Sequence, residues 1–295
     1  MRSGYNQCNK MPPKNKHIPV NTLPPGVGEG IIIFRNSIDG SPNFKEVERS
    51  HRDGGHSFIL QEKGSTHLEI DFQKYEIKAP AVMYMHPNQV HRLIRFDKAT
   101  TSSWIITSEN LLPELLQLLE DLAPVVPLPL NKETQAILSE TASLCIQFSK
   151  RKQEKLYHQI LKESCNTLVA LVASQYVAQS KPVQNYSRYE VITKAFRSLL
   201  EHNFIMAKSP QDYAKRLNIS TPYLNECVKT TTGYAVSWHI QQRIVLEAKR
   251  LLYHSGRSVK EIAGELGYED HSYFVRLFTK VSGMTPLAFR GKNLD

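Results

Sequence analysis

Cysteine is scarce here, with four in 295 residues. Cys8, Cys145, Cys165 and Cys227 lie far apart, with no C-x-x-C pair, so zinc-finger and dithiol spacings are excluded. Reduced, buried thiols in a cytoplasmic protein are the expectation. Long apolar runs are missing too. No stretch reaches the roughly 18 residues that a membrane-spanning helix needs, so no membrane partner is expected. The opening "MRSGYNQCNKMPPKNKHIPV" has no hydrophobic block and does not read as a secretory signal. Residues 1–20 read instead as a disordered basic tail. The G-x-S-x-G nucleophile turn, the phosphate-binding loop and the dinucleotide glycine fingerprint are also absent. No catalytic residue is therefore assigned, no cofactor is expected, and the chain does not read as an enzyme.

What is present is basic charge, unevenly spread. The net charge is +9, from 37 basic and 28 acidic residues. Residues 1–20 hold 4 basic and no acidic residues, residues 21–185 hold 17 and 18, and residues 186–295 hold 16 and 10. The middle is near neutral and the C-terminal third carries +6, as expected of a polyanion-binding module joined to a module with another task.

That third contains a repeat. "SPQDYAKRLNISTPYLNECV" from Ser209 aligns with "SVKEIAGELGYEDHSYFVRLF" from Ser258. Ser209, Ala214 and Leu217 precede Ser258, Ala263 and Leu266 by one offset; Ser220, Tyr223 and Leu224 precede Asp270, Tyr273 and Phe274 by one more residue. Each copy reads as two short helices. Ser258 with Glu261, and Ser209 with Asp212, form capping boxes. Gly267 and Asn218 suit a left-handed turn, and Asp270 and Ser220 suit the next N-cap. Helix, short turn, helix is the helix-turn-helix pattern. Between the copies, Ile240, Ile244, Ala248, Leu251 and Leu252 share a face and predict a linking helix. Its roughly 18 residues span about 27 Å, enough to hold two reading helices about one turn of DNA apart.

The second helix of the second copy has a divided surface. Phe274, Leu277, Phe278 and Val281 share one face, while Ser272, Arg276 and Thr279 lie opposite. An arginine fork suits a guanine edge, and His271 is within reach at the helix start.

On these residues, and on Ile262-Ala263, Gly267-Tyr268, Phe274, Arg276, Phe278, Gly283, Pro286 and Arg290, the sequence resembles the AraC-type transcription regulators over about 186–291. The resemblance implies two helix-turn-helix units on a central helix, double-stranded promoter DNA as partner, and contact with RNA polymerase. It implies that His271, Ser272 and Arg276 read bases in the second unit and that Thr221, Asn225 and Glu226 match them in the first. Glu226 departs from the basic residue common there. It either accepts from a cytosine amino group or pairs with Lys229 or Arg216; the first unit's contacts then fall to Thr221, Asn225 and Lys229.

From 31 to about 106 the apolar period changes to that of strands. "IIIF", "SFILQ", "HLEIDF", "AVMYMH" and "SWIIT" are separated by Gly54-Gly55, Gly64-Ser65 and Pro87-Asn88, which suggests an antiparallel barrel or sandwich. From 109 to 180 the period is helical, and Leu161, Cys165, Leu168 and Val172 form a stripe able to pack on the barrel or on a second chain. This half is similar to the cupin-like sensor half of AraC-type regulators. A small effector then has Tyr84, His86, His91 and Arg95 as candidate contacts. A metal is not expected. His51, Asp53, His56, His67, His86 and His91 are ligand types, but H-x-H is absent, its nearest approach being "HRD", and "PNQVH" lacks the glycine of the second cupin motif.

The expected fold is α+β and multidomain: a cupin-like antiparallel barrel at 21–108, helices at 109–180 that dimerise the chain, a linker at 181–189, and an all-α DNA-binding domain at 190–292. The expected function is a sequence-specific transcription regulator, with a metal-dependent cupin-type enzyme as the alternative.

Overall fold

The structure is a computed structural model that describes residues 17–21, 30–42, 49–122, 126–179 and 187–292. Most of the expected N-terminal tail and of the linker therefore lies outside the described residues. Contacts divide the chain into two compact units, one holding Pro19–Arg243 and the other Ile244–Asp295.

The first unit opens with short β1 (Val20–Asn21), which pairs in parallel with β3 (Arg52–Asp53). The main sheet contains β2 (Ile31–Gly40), β4 (His56–Ile70), β5 (Gln73–Lys78), β6 (Ala81–Met85), β7 (His91–Ile106) and β8 (Leu128–Pro129). Its order is β2-β7-β4-β6-β8 with β5 also on β4, and its pairs are antiparallel. The sheet-rich character is as expected, but the segments are longer. "SFILQ" and "HLEI" belong to one 15-residue strand. Gly64, read as a turn, sits inside that strand at φ +64°, where the register with β7 shifts. A Cβ there would lie 2.2 Å from the Asp97 carbonyl oxygen and 2.3 Å from that of Lys98. It marks a bulge that bends β4 rather than a break between strands. The real turn follows Ile70: Asp71 and Phe72 have φ 48° and 72°, so the strand stops before Phe72.

Helices α1 (Pro113–Asp121), α2 (Lys132–Phe148) and α3 (Tyr157–Gln179) cover the sheet. Leu161, Cys165, Leu168 and Val172 are fully buried in one cluster with Phe58, Leu60, Val82 and Trp104. Of the two uses left open for that stripe, packing on the sheet is the one observed. Burial of each large side chain stabilises the fold by about 1.5–3 kcal/mol. Cys145, Cys165 and Cys227 are free and buried.

The same unit continues with α4 (Arg188–Asn203), α5 (Pro210–Arg216), α6 (Thr221–Thr232) and the start of α7 (Val236–His254). Arg243 of α7 is fastened to α4: its Nε lies 2.7 Å from a Glu201 carboxylate oxygen and its guanidinium 3.9 Å above the Phe204 ring. The second unit contains the rest of α7, then α8 (Val259–Glu265), α9 (His271–Ser282) and α10 (Pro286–Lys292). Ile240, Ile244, Ala248, Leu251 and Leu252 are all buried along α7, as their spacing predicts. No helix among the described residues is long and apolar enough to cross a membrane.

Gly64→Ala is expected to cost at least about 1–3 kcal/mol in urea unfolding, from left-handed strain plus the carbonyl clash. An unchanged midpoint would contradict the bulge.

Candidate nucleic-acid interface and sensor residues

The two helix-turn-helix copies are built by the same local chemistry. Ser209 and Ser258 each close a capping box, with Asp212 and Glu261. Asn218 and Gly267 take φ 54° and 76° in the turns. The Ser220 hydroxyl accepts from the Tyr223 amide, and the Asp270 carboxylate accepts from the Ser272 and Tyr273 amides. The repeat runs further than the sequence reading took it. Gly233 and Gly283 end α6 and α9 in the left-handed conformation. Thr232 and Ser282 each donate to the carbonyl four residues back (Val228 and Phe278, both 2.7 Å) and accept from the amide two residues on. Val236 and Pro286 then start a third helix in each copy.

In α9, Phe274, Leu277 and Phe278 are buried while His271, Ser272 and Arg276 are exposed. The Arg276 side chain is 70 % exposed and only 3.9 Å from a carboxylate oxygen of the capping Asp270. So wet a pair contributes little, and the guanidinium is free to turn toward a ligand. In α6, Leu224, Cys227 and Val228 are buried and Lys229 is exposed. Thr221 is half-buried at the helix start.

Asn225 differs from the expectation. Its Oδ1 accepts from the Val236 amide at 3.2 Å and its Nδ2 donates to the Thr221 carbonyl at 3.3 Å, so the side chain caps the start of α7. Glu226 has neither expected basic partner as its described contact; it accepts from the Tyr189 hydroxyl at 2.7 Å. Arg290 ties α10 back to the end of α7 by donating to the Leu252 and Arg257 carbonyls.

The four effector candidates do not form one site. Tyr84 and His86 on β6 meet His56 and Glu120, which sequence reasoning did not assign to a pocket. Tyr84 Oη lies 2.8 Å from His56 Nδ1, and His86 Nε2 lies 3.2 Å from Glu120 Oε1. Phe58 stacks on Tyr84 and on Trp104 at 5.0 and 5.1 Å. Burial lowers the His56 imidazole to about 4, with His86 assisting and Glu120 opposing. Burial also holds the Tyr84 phenol well above its usual value. Arg95 stands on the surface with Asp97 at 2.9 Å and His67 at 3.5 Å. His91 belongs to a third cluster, with His51 and Asp53.

Both halves of this architecture match known families. Residues 41–164 match an AraC-like ligand binding domain and residues 213–292 a helix-turn-helix domain. The HTH-type transcriptional regulator YdiP of Escherichia coli K12 is 24% identical over 269 residues, covering 88% of this chain and 85% of that one. The transcriptional activator RhaR of Cronobacter sakazakii is 32% identical over 80 residues, so the chain matches only 28% of that relative's length. Among solved structures, the C-terminal domain of AraT from Geobacillus stearothermophilus is 26% identical, with TM-score 0.34, over 36% of this chain and 88% of that one. Fatty-acid-bound ToxT of Vibrio cholerae is 15% identical, with TM-score 0.40, over 88% and 94%. A cupin-like, sheet-rich ligand-binding domain followed by a helix-turn-helix DNA-binding domain defines a transcription regulator. The chain belongs to the AraC family.

Two outcomes test this geometry. Above pH 6.5 the His56 ring is neutral in both folded and unfolded chains. Between 6.5 and about 4 only the unfolded chain takes up the proton, so stability falls with falling pH, by on the order of 3 kcal/mol in all. His56→Gln removes that share of the acid sensitivity in denaturant titrations at several pH values. Asn225→Ala is expected to destabilise by about 1 kcal/mol through the lost α7 cap, measured as a lower thermal midpoint.

Proposed function

We propose that this regulator binds promoter DNA by laying α6 and α9 in successive major grooves. The observation that carries the reading is the division of α9: three apolar side chains are buried while His271, Ser272 and Arg276 face outward on a helix capped by Asp270. His271, Ser272 and Arg276 are the proposed contacts of the second copy, and Thr221 and Lys229 those of the first. Asn225 contributes by holding α6 to α7. The lysines and arginines of 186–295 supply most of the affinity through phosphates, which makes binding strongly salt-dependent. Membership of the family supports RNA polymerase as a further partner and the cytoplasm as the compartment.

The proposed domains are 21–108 for the sheet, 109–180 for its helices and 190–292 for the DNA-binding part. A small effector is proposed to act at the cluster of His56, Tyr84, His86 and Glu120. What supports a signalling route is α1, where Glu120 meets His86 and its neighbour Asp121 lies 3.6 Å from Lys194 of α4. A homodimer is proposed through α2, whose Ile137 and Leu144, two turns apart, are each 47 % exposed. The rival reading, a metal-dependent cupin-type enzyme with a helical appendage, gives the outward face of α9 no task.

Arg276→Ala is expected to lose about 1–3 kcal/mol of DNA affinity and to relax preference at one base pair, with unchanged thermal stability because the side chain is exposed. Binding isotherms on a selected site and on its single-base variants check this; unchanged affinity and base preference would refute the assignment.

A further inference from the structure

We propose that His51, Asp53 and His91 hold one divalent first-row transition-metal ion through two imidazole nitrogens and a carboxylate. The backbone sets the pair of histidines. His51 and His91 exchange both amide-to-carbonyl hydrogen bonds, each 2.9 Å, so they sit directly opposite one another. Residues paired in this way send their side chains to the same face, and the two rings are 4.5 Å apart, edge to face. Asp53, two residues along, points to that face again by the period of the strand. Its Oδ1 lies 3.6 Å from His51 Nε2 and its Oδ2 3.4 Å from His91 Nε2. One donor atom from each of the three lies within 4.8 Å of the others. Two donors at about 2.1 Å from an ion and at a tetrahedral angle are roughly 3.4 Å apart, so each ring, facing its own oxygen of the carboxylate, stands near the spacing that a cation between them sets.

The surroundings are those of a ligating cluster. The exposures of His51, Asp53 and His91 are 3%, 8% and 6%. His51 Nδ1 is 2.7 Å from the Arg49 carbonyl oxygen, which only an N–H can satisfy. In the neutral ring Nε2 is then a lone pair, and it faces a carboxylate oxygen: two acceptors that need a cation between them. The Ser57 hydroxyl donates to Asp53, fixing the carboxylate from behind. His91 Nδ1 is buried without a hydrogen-bond partner, so no outer acceptor fixes that ring. Two imidazoles and one carboxylate suit zinc or iron(II), whereas calcium and magnesium prefer oxygen throughout. The ion would clamp the chain just before β4 to the first residue of β7. The missing H-x-H is answered by His51-x-Asp53, with the second histidine supplied across the strand pair.

The test uses the full chain, free of affinity tag and stripped by chelator, titrated with zinc chloride and, separately, with cobalt chloride. The expected result is one ion per chain, a higher thermal midpoint with zinc, and ligand-field bands of nitrogen- and oxygen-bound cobalt. Asp53→Asn and His91→Gln should each weaken binding at least tenfold. No stoichiometric ion, or affinities untouched by both variants, overturns the proposal and leaves a protonated histidine as the cation. Should a variant fail to fold, the unmodified chain decides: an aquo-ion spectrum at saturating cobalt overturns it. DNA binding of the stripped chain is measured alongside, so failure of the metal site and failure of the DNA reading remain separate.

Discussion

The hydrogen bonds at the turn between α8 and α9 carry the C-terminal region. Gly267 takes a left-handed conformation that a side chain would strain, α8 stops there, and the Asp270 carboxylate gathers the Ser272 and Tyr273 amides that begin α9. The direction in which α9 leaves is thereby set. Burial of Phe274, Leu277 and Phe278 then fixes its rotation, and with it the outward course of Arg276. The first copy repeats the device with Asn218 and Ser220. A polar side chain at each helix start and a left-handed residue at each helix end thus determine which residues a duplex would meet.

The N-terminal half follows a different constraint. Its sheet is closed over by α3, whose apolar stripe meets Phe58, Leu60 and Trp104. The stripe is therefore used within the chain, which leaves the outer side of α2 for the proposed association with a second copy. Polar groups inside this half are paired locally: Tyr84 with His56 and His86 with Glu120, while Tyr176 reaches in from α3 to accept from the Tyr84 amide. Satisfied polar pairs of this kind hold the interior in one arrangement.

How much was legible depended on sequence distance. Caps and left-handed turns rest on residues within four positions of each other and occur twice in the repeat, so Ser209, Ser258, Asn218, Gly267, Ser220 and Asp270 were all readable. The buried faces of α7 and α9 were readable from period alone. Asn225 was not, because its partner Val236 belongs to the next helix and an outward asparagine and a capping one look alike in sequence. Glu226 found Tyr189, 37 positions away, rather than its basic neighbours. Among the effector candidates, Tyr84 and His86 were near one another in sequence, but His56 reaches them only through the pairing of β4 with β6, and Glu120 only through the packing of α1. Gly64 showed the same limit: a bulge and a turn ask for the same residue, and only the register with β7 separates them.

The central claim is that two copies of one helical device read neighbouring turns of a duplex. Selection of bound sites from random DNA by the full chain tests it most directly. The account predicts two blocks of preferred bases per protomer whose centres lie about 10 base pairs apart. One block alone, or no enrichment above salt-sensitive background, would contradict it.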